Sequence, residues 1–356
     1  MNASSKPVVV IAAGGTAGHI RPALAVGEAL RARGATVTFA GSPDRVESQL
    51  VPDAGFELDP FEISGFPRKP SLALLKALWR AGKAPIACRE ILRRRRPDVV
   101  LGGGGYVSGP MVLAARFSRI PAALTEADAH LGLANRLATP FASKVFLAYA
   151  VDGRSGGKYE IVGRPIPMAH LGSTRDEARA HLGLDADAPT VAVFGALAGA
   201  TSLNELAVNA WGDQGPSVVH ISGERDHSAL RERVHRSDYL LLPQTERFGD
   251  VLAAADVAVS RAGGTVWELA AAGTPSILVP YPYATADHQT LNAKHFERGG
   301  GAIVVPNDEL ESVPALVEEL LADSERLASM RAAMLSMARI DAADRIAEGL
   351  IALARR

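Results

Sequence analysis

A histidine follows a run of glycines at the point where an apolar segment gives way to a helix-like one. In "VVVIAAGGTAGHIRPALAVGEAL", residues 8–30, the glycine-rich turn Gly14–Gly18 comes directly before His19. Glycine lets the backbone adopt positive φ and approach a ligand closely. The N–H groups at the start of the following helix favour an anion. The turn therefore predicts a site for a phosphate or a pyrophosphate, with an imidazole beside it.

A second set of polar residues lies in "SRAGGTVWELAAAGTP", residues 260–275. Gly263 and Gly264 follow a predicted strand, and Thr265 and Glu268 fall in the first turn of the next predicted helix. A carboxylate there can accept two hydrogen bonds from a vicinal diol, such as that of a ribose. The same pair has the [ST]-x-x-[DE] spacing of a capping box, so an ordinary helix cap is the alternative.

A third set follows in "ADHQTLNAKHF", residues 286–296. His288 and Gln289 cluster at a predicted helix start, and Asn292 lies one turn further on. Polar side chains grouped in this way suit the hydroxyls of a sugar. The alternative is a helix N-cap by Asp287 with exposed neighbours.

These residues must be positioned by an alternation of strands and helices. Short apolar strands, such as 8–13, 98–101, 190–194 and 257–260, alternate with helix-like segments, such as 22–33. Continuous apolar strands of this kind form parallel sheets that are covered on both faces. The pattern restarts near residue 190, so the fold class is α/β, with two Rossmann-like domains in tandem.

The interruption in "YEIVGRPIP", residues 159–167, sets the predicted domain boundary. We expect an N-terminal domain over 1–163, a C-terminal domain over 164–340 and a final helix over 341–356 that packs back toward the N-terminal domain. Four glycine-rich turns each follow a predicted strand, at 14–18, 102–105, 195–199 and 263–264. Because ligands bind outside the carboxyl ends of parallel strands, the turns of the two domains are expected to face each other across a cleft.

Composition narrows the class of function. The 356 residues carry a formal net charge of −1, which gives no basic field for nucleic acid. The single cysteine, Cys88, excludes an internal disulfide framework and a cysteine-based zinc cluster. No run of about 18 apolar residues occurs, so a cytoplasmic protein is expected. Neither G-x-G-x-x-G nor G-x-x-x-x-G-K-[ST] is present, which argues against a dehydrogenase and a P-loop NTPase.

Taken together, the motifs resemble those of GT-B glycosyltransferases, specifically those of the MurG family, over nearly the whole chain. The resemblance rests on "GGTAGHIRPALAVGEAL" at 14–30, "PDVVLGGGGYVSGPMVLAA" at 97–115, "GLANRLA" at 132–138, "DVLAAADVAVSRAGGTVWELAAAGTPSILVPYP" at 250–282 and "DHQTLNA" at 287–293. It implies a GT-B fold. It also implies inverting transfer of N-acetylglucosamine from UDP-N-acetylglucosamine to a lipid-linked muramoyl-pentapeptide diphosphate in peptidoglycan biosynthesis.

The resemblance implies that the C-terminal domain holds the UDP-sugar. Glu268 would bind the ribose hydroxyls, and the diphosphate would meet Gly263, Gly264 and Thr265. Gln289, helped by His288 or Asn292, would bind the sugar hydroxyls. The remaining implied donor-binding residues are Gly195, Gly199, Asn204, Thr245, Phe248 and Arg261, of which Thr245 and Phe248 would flank the uracil.

The resemblance places the acceptor on the N-terminal domain, with its diphosphate at the two glycine turns. The implied acceptor-binding residues are Gly14, Gly15, Thr16, Gly18, Gly103, Gly104, Gly105, Tyr106 and Asn135. Transfer requires a base for the acceptor hydroxyl, and the pKa of histidine suits this task. His19 is therefore the first candidate, although it could instead donate to a phosphate or pin the turn; Glu126 and Asp128 are alternative bases. Helix N–H groups can stabilise the leaving diphosphate, so no metal or other cofactor is expected.

Three stretches depart from the pattern of the family. GGSQGA becomes "GALAGA" at 195–200, HEQN becomes "TEAD" at 125–128, and GNPVR becomes "GRPIP" at 163–167. The donor motifs are mostly retained, whereas these changes bear on the identity of the acceptor. A UDP-sugar transferase with a different, soluble acceptor and a nucleotide-sugar-binding protein with weak catalysis are the alternatives.

A lipid-linked acceptor requires access to a membrane. Residues 64–97 combine leucines and Trp79 with lysines and arginines, a mixture suited to an anionic lipid surface. An amphipathic helix packed on the sheet is the alternative, and for Arg93–Arg96 a solvated charge run is preferred. The expected partners are thus a UDP-sugar, a polyprenyl-diphosphate-linked acceptor and the cytoplasmic face of the inner membrane.

Overall fold

The chain forms two compact units. The structure is a computed structural model that describes residues 6–63, 72–195 and 199–355. The first unit contains the residues up to Pro167 together with those from Arg339 onward, and the second is Met168–Ala338. The chain thus passes from one unit to the next directly after the second proline of "GRPIP".

The first unit is built on a parallel sheet. Its strands are β1 (Val8–Ala12), β2 (Thr36–Gly41), β3 (Glu57–Pro60), β4 (Val99–Gly102), β5 (Ala122–Glu126), β6 (Lys144–Leu147) and β7 (Tyr159–Ile161). The helices between them are α1 (Ala17–Ala32), α2 (Glu47–Asp53), α3 (Leu72–Arg95), α4 (Ser108–Phe117) and α5 (Leu133–Ala138). The strand order is β3-β2-β1-β4-β5-β6-β7. The order reverses between β1 and β4, so the turns after these two strands open into one crevice.

The second unit repeats this plan. Its strands are β8 (Thr190–Phe194), β9 (Ser217–Ile221), β10 (Tyr239–Leu242), β11 (Val257–Ser260), β12 (Ser276–Leu278) and β13 (Ala302–Val304). Its helices are α6 (Arg175–Leu182), α7 (Thr201–Trp211), α8 (Glu224–Arg231), α9 (Phe248–Ala254), α10 (Val266–Ala272), α11 (His288–Arg298), α12 (Val313–Ala322) and α13 (Ser324–Met337). The strands pair in parallel in the order β10-β9-β8-β11-β12-β13, with the reversal between β8 and β11.

The last helix, α14 (Ala342–Ala354), packs on the first unit. Its apolar side chains Ile346 and Leu350 are fully buried in the cluster that covers one face of the first sheet. On its outer side, Arg33 of α1 pairs with Asp344 at 2.6 Å and with Glu348 at 3.2 Å. The C-terminal segment therefore completes the helical layer over the N-terminal sheet.

The structure corrects three details of the prediction. Strands β3, β7 and β10 had no strand prediction; β3 and β7 are short and lack an apolar run, whereas the apolar run "YLLL" of β10 was overlooked. Helix α1 begins at Ala17 rather than at residue 22, so its proline lies inside the helix. The arginine run at the end of α3 is not simply solvated, since Arg94 and Arg95 bind the buried carboxylate of Asp59 at 2.6 and 2.8 Å.

Candidate functional site

The turn after β1 holds His19 against the turn after β4. The hydroxyl of Thr16, the N-cap residue of α1, lies 3.1 Å from His19 Nδ1. The imidazole is half-buried, and a Cβ on Gly104 would lie only 2.6 Å from its Cδ2. Gly104 also has a φ of +104°. Only glycine satisfies both the close approach and the left-handed backbone, so this position fixes where the ring of His19 lies.

A buried carboxylate that the sequence did not reveal supports the same turn. Glu47, on α2, is fully buried and accepts the backbone N–H groups of Gly15 at 3.0 Å and Ser42 at 3.1 Å. The N–H of Gly15, expected to meet the acceptor diphosphate, is therefore engaged by Glu47 in this structure. A Cβ on Gly14 would lie 2.3 Å from Glu47 Oε1, so Gly14 makes room for this carboxylate.

Ser108 ties the two glycine turns together. Its hydroxyl accepts the N–H of Gly104 at 2.8 Å and lies 2.9 Å from the carbonyl oxygen of Ala12. The N–H of Gly103 donates to the same Ala12 carbonyl at 2.8 Å. A Cβ on Gly105 would meet the carbonyl of Gly14 at 2.1 Å. The turns after β1 and β4 therefore form one continuous surface.

Tyr106 closes one side of this surface. Its ring would lie 2.7 Å from a Cβ on Gly15, and its hydroxyl is 3.5 Å from that of Ser42. It is half-buried. Tyr106 thus packs directly against the predicted acceptor turn.

Glu126 is an anchor for the loop that follows β5. Its carboxylate accepts the N–H groups of Ala127 at 2.9 Å, Asp128 at 3.3 Å and Gly132 at 2.9 Å, and the side-chain amide of Asn135 at 2.9 Å. Burial raises the pKa of Glu126, although these hydrogen bonds oppose the rise. Asn135 is itself buried and also donates to the carbonyl of Thr125 at 2.9 Å. Both side chains therefore hold the loop, and Asp128 is the more exposed of the two alternative bases.

Arg164 donates a hydrogen bond to a backbone carbonyl in the first turn of α1 that has no helical donor. Pro22 has no N–H, so the carbonyl of Gly18 lacks its usual helical donor. Arg164 is buried and supplies that donor, with Nη2 at 2.5 Å from the Gly18 oxygen, while Nη1 lies 3.4 Å from the carbonyl of Ala127. This one guanidinium joins the His19 turn to the Glu126 loop.

In the second unit, Glu268 lies on the first turn of α10, as expected. No side-chain hydrogen bond caps α10, so the capping-box alternative for Thr265 and Glu268 is wrong. Instead, Glu268 Oε1 pairs with His170 Nδ1 at 2.5 Å, and both side chains are nearly buried. None of the described residues donates to Oε2, which leaves this oxygen available to a diol. The partner, His170, lies 98 residues away in sequence.

The segments after β11 and β12 bring Gly263 and Gln289 together. The Nε2 atom of Gln289 would lie 3.9 Å from a Cβ on Gly263, and its Oε1 accepts the N–H of Tyr281 at 2.9 Å. Asn292 is fully buried and donates to the carbonyl of Ala262 at 3.2 Å. Gln289 is therefore half-buried and lies beside Gly263 in the turn after β11. Asn292 is buried and supports the same turn through the Ala262 carbonyl.

His288 lies at the start of α11, where its Nδ1 is 2.9 Å from the carbonyl oxygen of Thr285. The ring is half-buried, and Asp287, the N-cap position, makes no side-chain cap. The structure therefore orients His288 through the preceding turn.

Arg261 is buried, and none of the described residues provides a carboxylate partner for it. Its guanidinium donates to the carbonyls of Val279 at 3.2 Å and Pro280 at 3.1 Å, and to the hydroxyl of Ser202 at 2.7 Å. Burial lowers its pKa, and its Nε has no acceptor among the described residues. Arg261 thus places a positive charge between the turn after β11 and the start of α7.

Asn204, on α7, is buried within a polar network. Its amide group donates to the carbonyl of Ser222 and to the carboxylate of Asp226, each at 2.9 Å, and its Oδ1 lies 3.0 Å from Nε2 of His220. A Cβ on Gly199 would lie 2.1 Å from the Ser222 carbonyl. Asn204 therefore positions the backbone around the 195–200 loop, of which residues 196–198 lie outside the described part.

The segment expected to flank uracil contains a ring cluster. Phe248 packs edge-on against His170 and Phe194, with ring centroids 5.4 and 5.1 Å apart. The hydroxyl of Thr245 accepts the N–H of Arg247 at 3.0 Å. Phe248 thus supports the histidine that pairs with Glu268.

Most of the chain matches known glycosyltransferase domains and proteins. Models of the glycosyltransferase family 28 N-terminal and C-terminal domains match residues 9–147 and 190–346. The UDP-N-acetylglucosamine–N-acetylmuramyl-(pentapeptide) pyrophosphoryl-undecaprenol N-acetylglucosamine transferase of Halorhodospira halophila is 40% identical over 351 residues, which cover 95% of this chain and 96% of that protein. The protein of the same name from Halothermothrix orenii is 36% identical, over 90% of this chain and 92% of its own. The crystal structure of Acinetobacter baumannii MurG has a TM-score of 0.76 at 26% identity and covers 98% of this chain, with 99% of that chain matched.

The chain belongs to the MurG family of glycosyltransferases. The GT-B fold implied by the sequence resemblance is thereby confirmed. For a member of the MurG family, the residues that sequence reasoning missed are chiefly supporting ones: Glu47, Ser108, Arg164, His170 and Ser202. Of these, only Arg164 carried a signal, because it stands where the usual family pattern has asparagine.

No helix in the described part of the chain combines the length and the apolar character needed to cross a membrane. Across residues 6–63, 72–195 and 199–355, no group of three histidine, cysteine, aspartate or glutamate side chains is arranged to hold a metal ion.

Proposed function

We propose that this chain transfers N-acetylglucosamine, with inversion at the anomeric carbon, from UDP-N-acetylglucosamine to a lipid-linked muramoyl-pentapeptide diphosphate. The observation that carries the proposal is the arrangement after β11, where Glu268 lies on the first turn of α10 and Gln289 lies beside Gly263. It occurs in a chain that is 40% identical, over nearly its full length, to a protein named for this reaction.

On the donor side, Glu268 accepts the ribose hydroxyls. Its pairing with His170 keeps the carboxylate in one orientation, so little rotational freedom is lost when the nucleotide binds. The backbone of Gly263, Gly264 and Thr265 meets the diphosphate. Arg261 supplies the nearby positive charge that a leaving diphosphate requires.

On the acceptor side, His19 takes the proton from the attacking hydroxyl. The hydroxyl oxygen forms the new bond to the anomeric carbon, the bond from that carbon to the diphosphate oxygen breaks, and UDP leaves with the electron pair. The proton remains on the imidazole until it passes to solvent. Thr16 and Gly104 hold the ring in place, which favours a base of fixed orientation.

We propose that no metal ion is needed, since N–H groups and Arg261 provide the positive potential at the diphosphate. The direct check is turnover in excess EDTA, where an unchanged rate is expected. A loss of turnover that added Mg²⁺ restores would contradict this part of the proposal.

A soluble acceptor is the second candidate. It is favoured by one observation: Arg164, in the place of the usual asparagine, ties the acceptor turn to the loop that reads "TEAD". The chain therefore departs from the family pattern at two segments that meet in the structure, and both lie on the acceptor side.

We also propose that the first unit associates with an anionic membrane. Residues 64–71 of the predicted contact segment lie outside the described part, so the support comes from the helices that follow. Large apolar side chains are well exposed on neighbouring helices α3, α4 and α5: Trp79, Ile86, Phe117, Leu133 and Leu137. Lys83 lies 3.7 Å from the ring centre of Trp79. Apolar anchors beside cations are typical of interfacial binding.

Release of UDP tests the proposed reaction. The protein is incubated with UDP-N-acetylglucosamine, with and without the lipid-linked muramoyl-pentapeptide, and UDP is measured in a coupled assay. We expect release that depends on the acceptor. Release equal to the background without acceptor would overturn the proposal, and UDP-glucose serves as the control for the donor.

A further inference from the structure

The second unit contains an open cleft at the amino ends of its central strands, β8 and β11. The proposed donor turns follow the carboxyl ends of the same strands. The cleft, of about 460 Å³, is lined by Arg175, Asp256, Ser324, Leu327, Ala328 and Arg331. Asp256 directly precedes β11, and its carboxylate accepts the N–H of Thr190, the first residue of β8, at 2.9 Å. The glycine turns follow the other ends of these strands. At about 3.3 Å per residue, a five-residue strand separates its two ends by roughly 15 Å, so the cleft is remote from the donor site.

Two arginines share the carboxylate of Asp256, and a third arginine lines the same cleft. Asp256 Oδ1 pairs with Arg175 at 2.7 Å, and Oδ2 pairs with the buried Arg179 at 3.0 Å. Arg331 reaches the cleft from α13 and is half-buried. In the described part of the chain, it has no carboxylate within ion-pair distance. Both oxygens of Asp256 are already engaged, so the cleft holds more positive than negative charge.

Burial makes this charge imbalance costly. Desolvation, followed by the positive charge of Arg175, lowers the pKa of Arg331, and the attraction of Asp256 opposes this only in part. A guanidinium that loses water without gaining an anion destabilises the folded chain. The nearby carboxylate of Asp323 caps the start of α13 by accepting the N–H of Arg326 at 2.9 Å, and Glu325 is exposed. Neither of these acidic residues lines the cleft.

We propose that this cleft is a binding site for a phosphate group of a small molecule other than the UDP-sugar. Arg175 and Arg331 both line it, and the planar donor array of guanidinium matches the oxygens of phosphate. The hydroxyl of Ser324 adds a donor at the start of α13. Leu327 and Ala328 give an apolar wall for the remainder of the ligand.

Calorimetric titration of inorganic pyrophosphate into the full-length protein tests the site. UDP is held at saturation so that the donor site is filled, and any binding at the acceptor turns of the first unit is recognised because Arg331→Gln leaves it unchanged. We expect a binding event that Arg331→Gln weakens at least tenfold. Arg326→Gln, an exposed arginine on the same helix that does not line the cleft, is the matched control and should leave the affinity unchanged.

A second variant guards against misfolding as the cause. Ala328 is exposed, so Ala328→Glu should fold normally while placing a carboxylate in the cleft. We expect it to abolish the same binding event and to leave UDP affinity unchanged. No pyrophosphate binding at saturating UDP, or equal affinity in the wild type, Arg331→Gln and Ala328→Glu, would overturn the proposal. Neither result bears on the transferase reaction.

Discussion

At the scale of single residues, the proposed donor site depends on one carboxylate and the histidine that pairs with it. Glu268 is not a helix cap, and its pairing with His170 leaves Oε2 open to the ribose. We expect Glu268→Gln to weaken UDP binding by about 1–3 kcal/mol, because charge-assisted hydrogen bonds to the diol are lost. Calorimetry with UDP measures this, and Glu319→Gln, an exposed change on α12, is the control. An unchanged affinity would limit Glu268 to a structural role.

His19 is the residue whose replacement separates chemistry from binding. We expect His19→Ala to lower kcat by about 10²–10⁴-fold, the range that general bases contribute. UDP affinity should stay near that of the wild type, because His19 lies in the first unit and the donor residues lie in the second. Steady-state kinetics and UDP titration of the same preparation give both quantities. A collapse of UDP affinity would contradict the assignment of His19 as the base.

At the scale of elements, Arg164 completes the start of α1 by serving the carbonyl that Pro22 leaves without a donor. We expect Arg164→Gln to lower the free energy of unfolding by about 1.5–3 kcal/mol, the range for hydrogen bonds to charged groups. The KM for the acceptor should rise as well, because the His19 turn and the Glu126 loop lose their link. Denaturant titration and kinetics measure the two effects.

Arg345→Gln is the matched control for Arg164. Arg345 lies in the same unit and pairs with Glu160 at 2.9 Å in a partly exposed position. Exposed pairs of this kind contribute less than about 1 kcal/mol. Equal losses of stability in the two variants, with the acceptor KM unchanged in both, would show that Arg164 does not have the positioning role assigned to it.

The buried His220 joins β9, β10 and α7 and makes stability depend on pH. It lies 2.8 Å from the hydroxyl of Tyr239, and burial, with a smaller effect from His227, lowers its pKa from 6.5 to about 3. In the unfolded chain, the imidazole of His220 therefore becomes protonated near pH 6.5. In the folded chain, it stays neutral down to about pH 3. The free energy of unfolding should fall as the pH drops through this window, by at most about 1.4 kcal/mol per pH unit from this group.

Substitution of His220 isolates that contribution. Denaturant titrations at pH 7, 6 and 5 should show a shallower pH dependence for His220→Gln than for the wild type, because glutamine does not titrate. His235→Gln, which changes an exposed histidine, should keep the wild-type slope. An identical slope in all three proteins would mean that His220 is not the source.

Strands and helices could be predicted from the sequence where a local pattern of residues is enough to identify them. Apolar β-branched runs and glycine turns predicted β1, β4, β8 and β11, whereas the strand order and its reversal come from the structure. Contacts between distant segments were not predictable, because no local pattern encodes them. No sequence pattern around Glu268 or His170 predicts that these two residues pair. The same holds for the hydrogen bond between Gly15 and Glu47. The candidate donor and acceptor residues could be named, whereas the residues that hold them could not.

At the scale of the whole molecule, the exposed apolar side chains of α3, α4 and α5 should govern attachment to lipid. We expect a Phe117→Ser, Leu137→Ser double variant to lose most binding to vesicles that contain phosphatidylglycerol, because two exposed anchors are removed. Sedimentation with these vesicles and with pure phosphatidylcholine vesicles measures the effect. Ile340→Ser, an exposed apolar residue outside these helices, is the control. Equal sedimentation of both variants would contradict the assigned surface.

The chain as a whole is proposed to move N-acetylglucosamine onto a lipid-linked acceptor. The most direct measurement uses UDP-N-acetylglucosamine labelled in the sugar, offered with the lipid-linked muramoyl-pentapeptide and, separately, with its soluble delipidated form. We predict that the label enters the lipid fraction and that the mass of the lipid product grows by one N-acetylhexosamine residue. Label that reaches only the soluble acceptor, or neither acceptor, would contradict transfer to a lipid-linked acceptor.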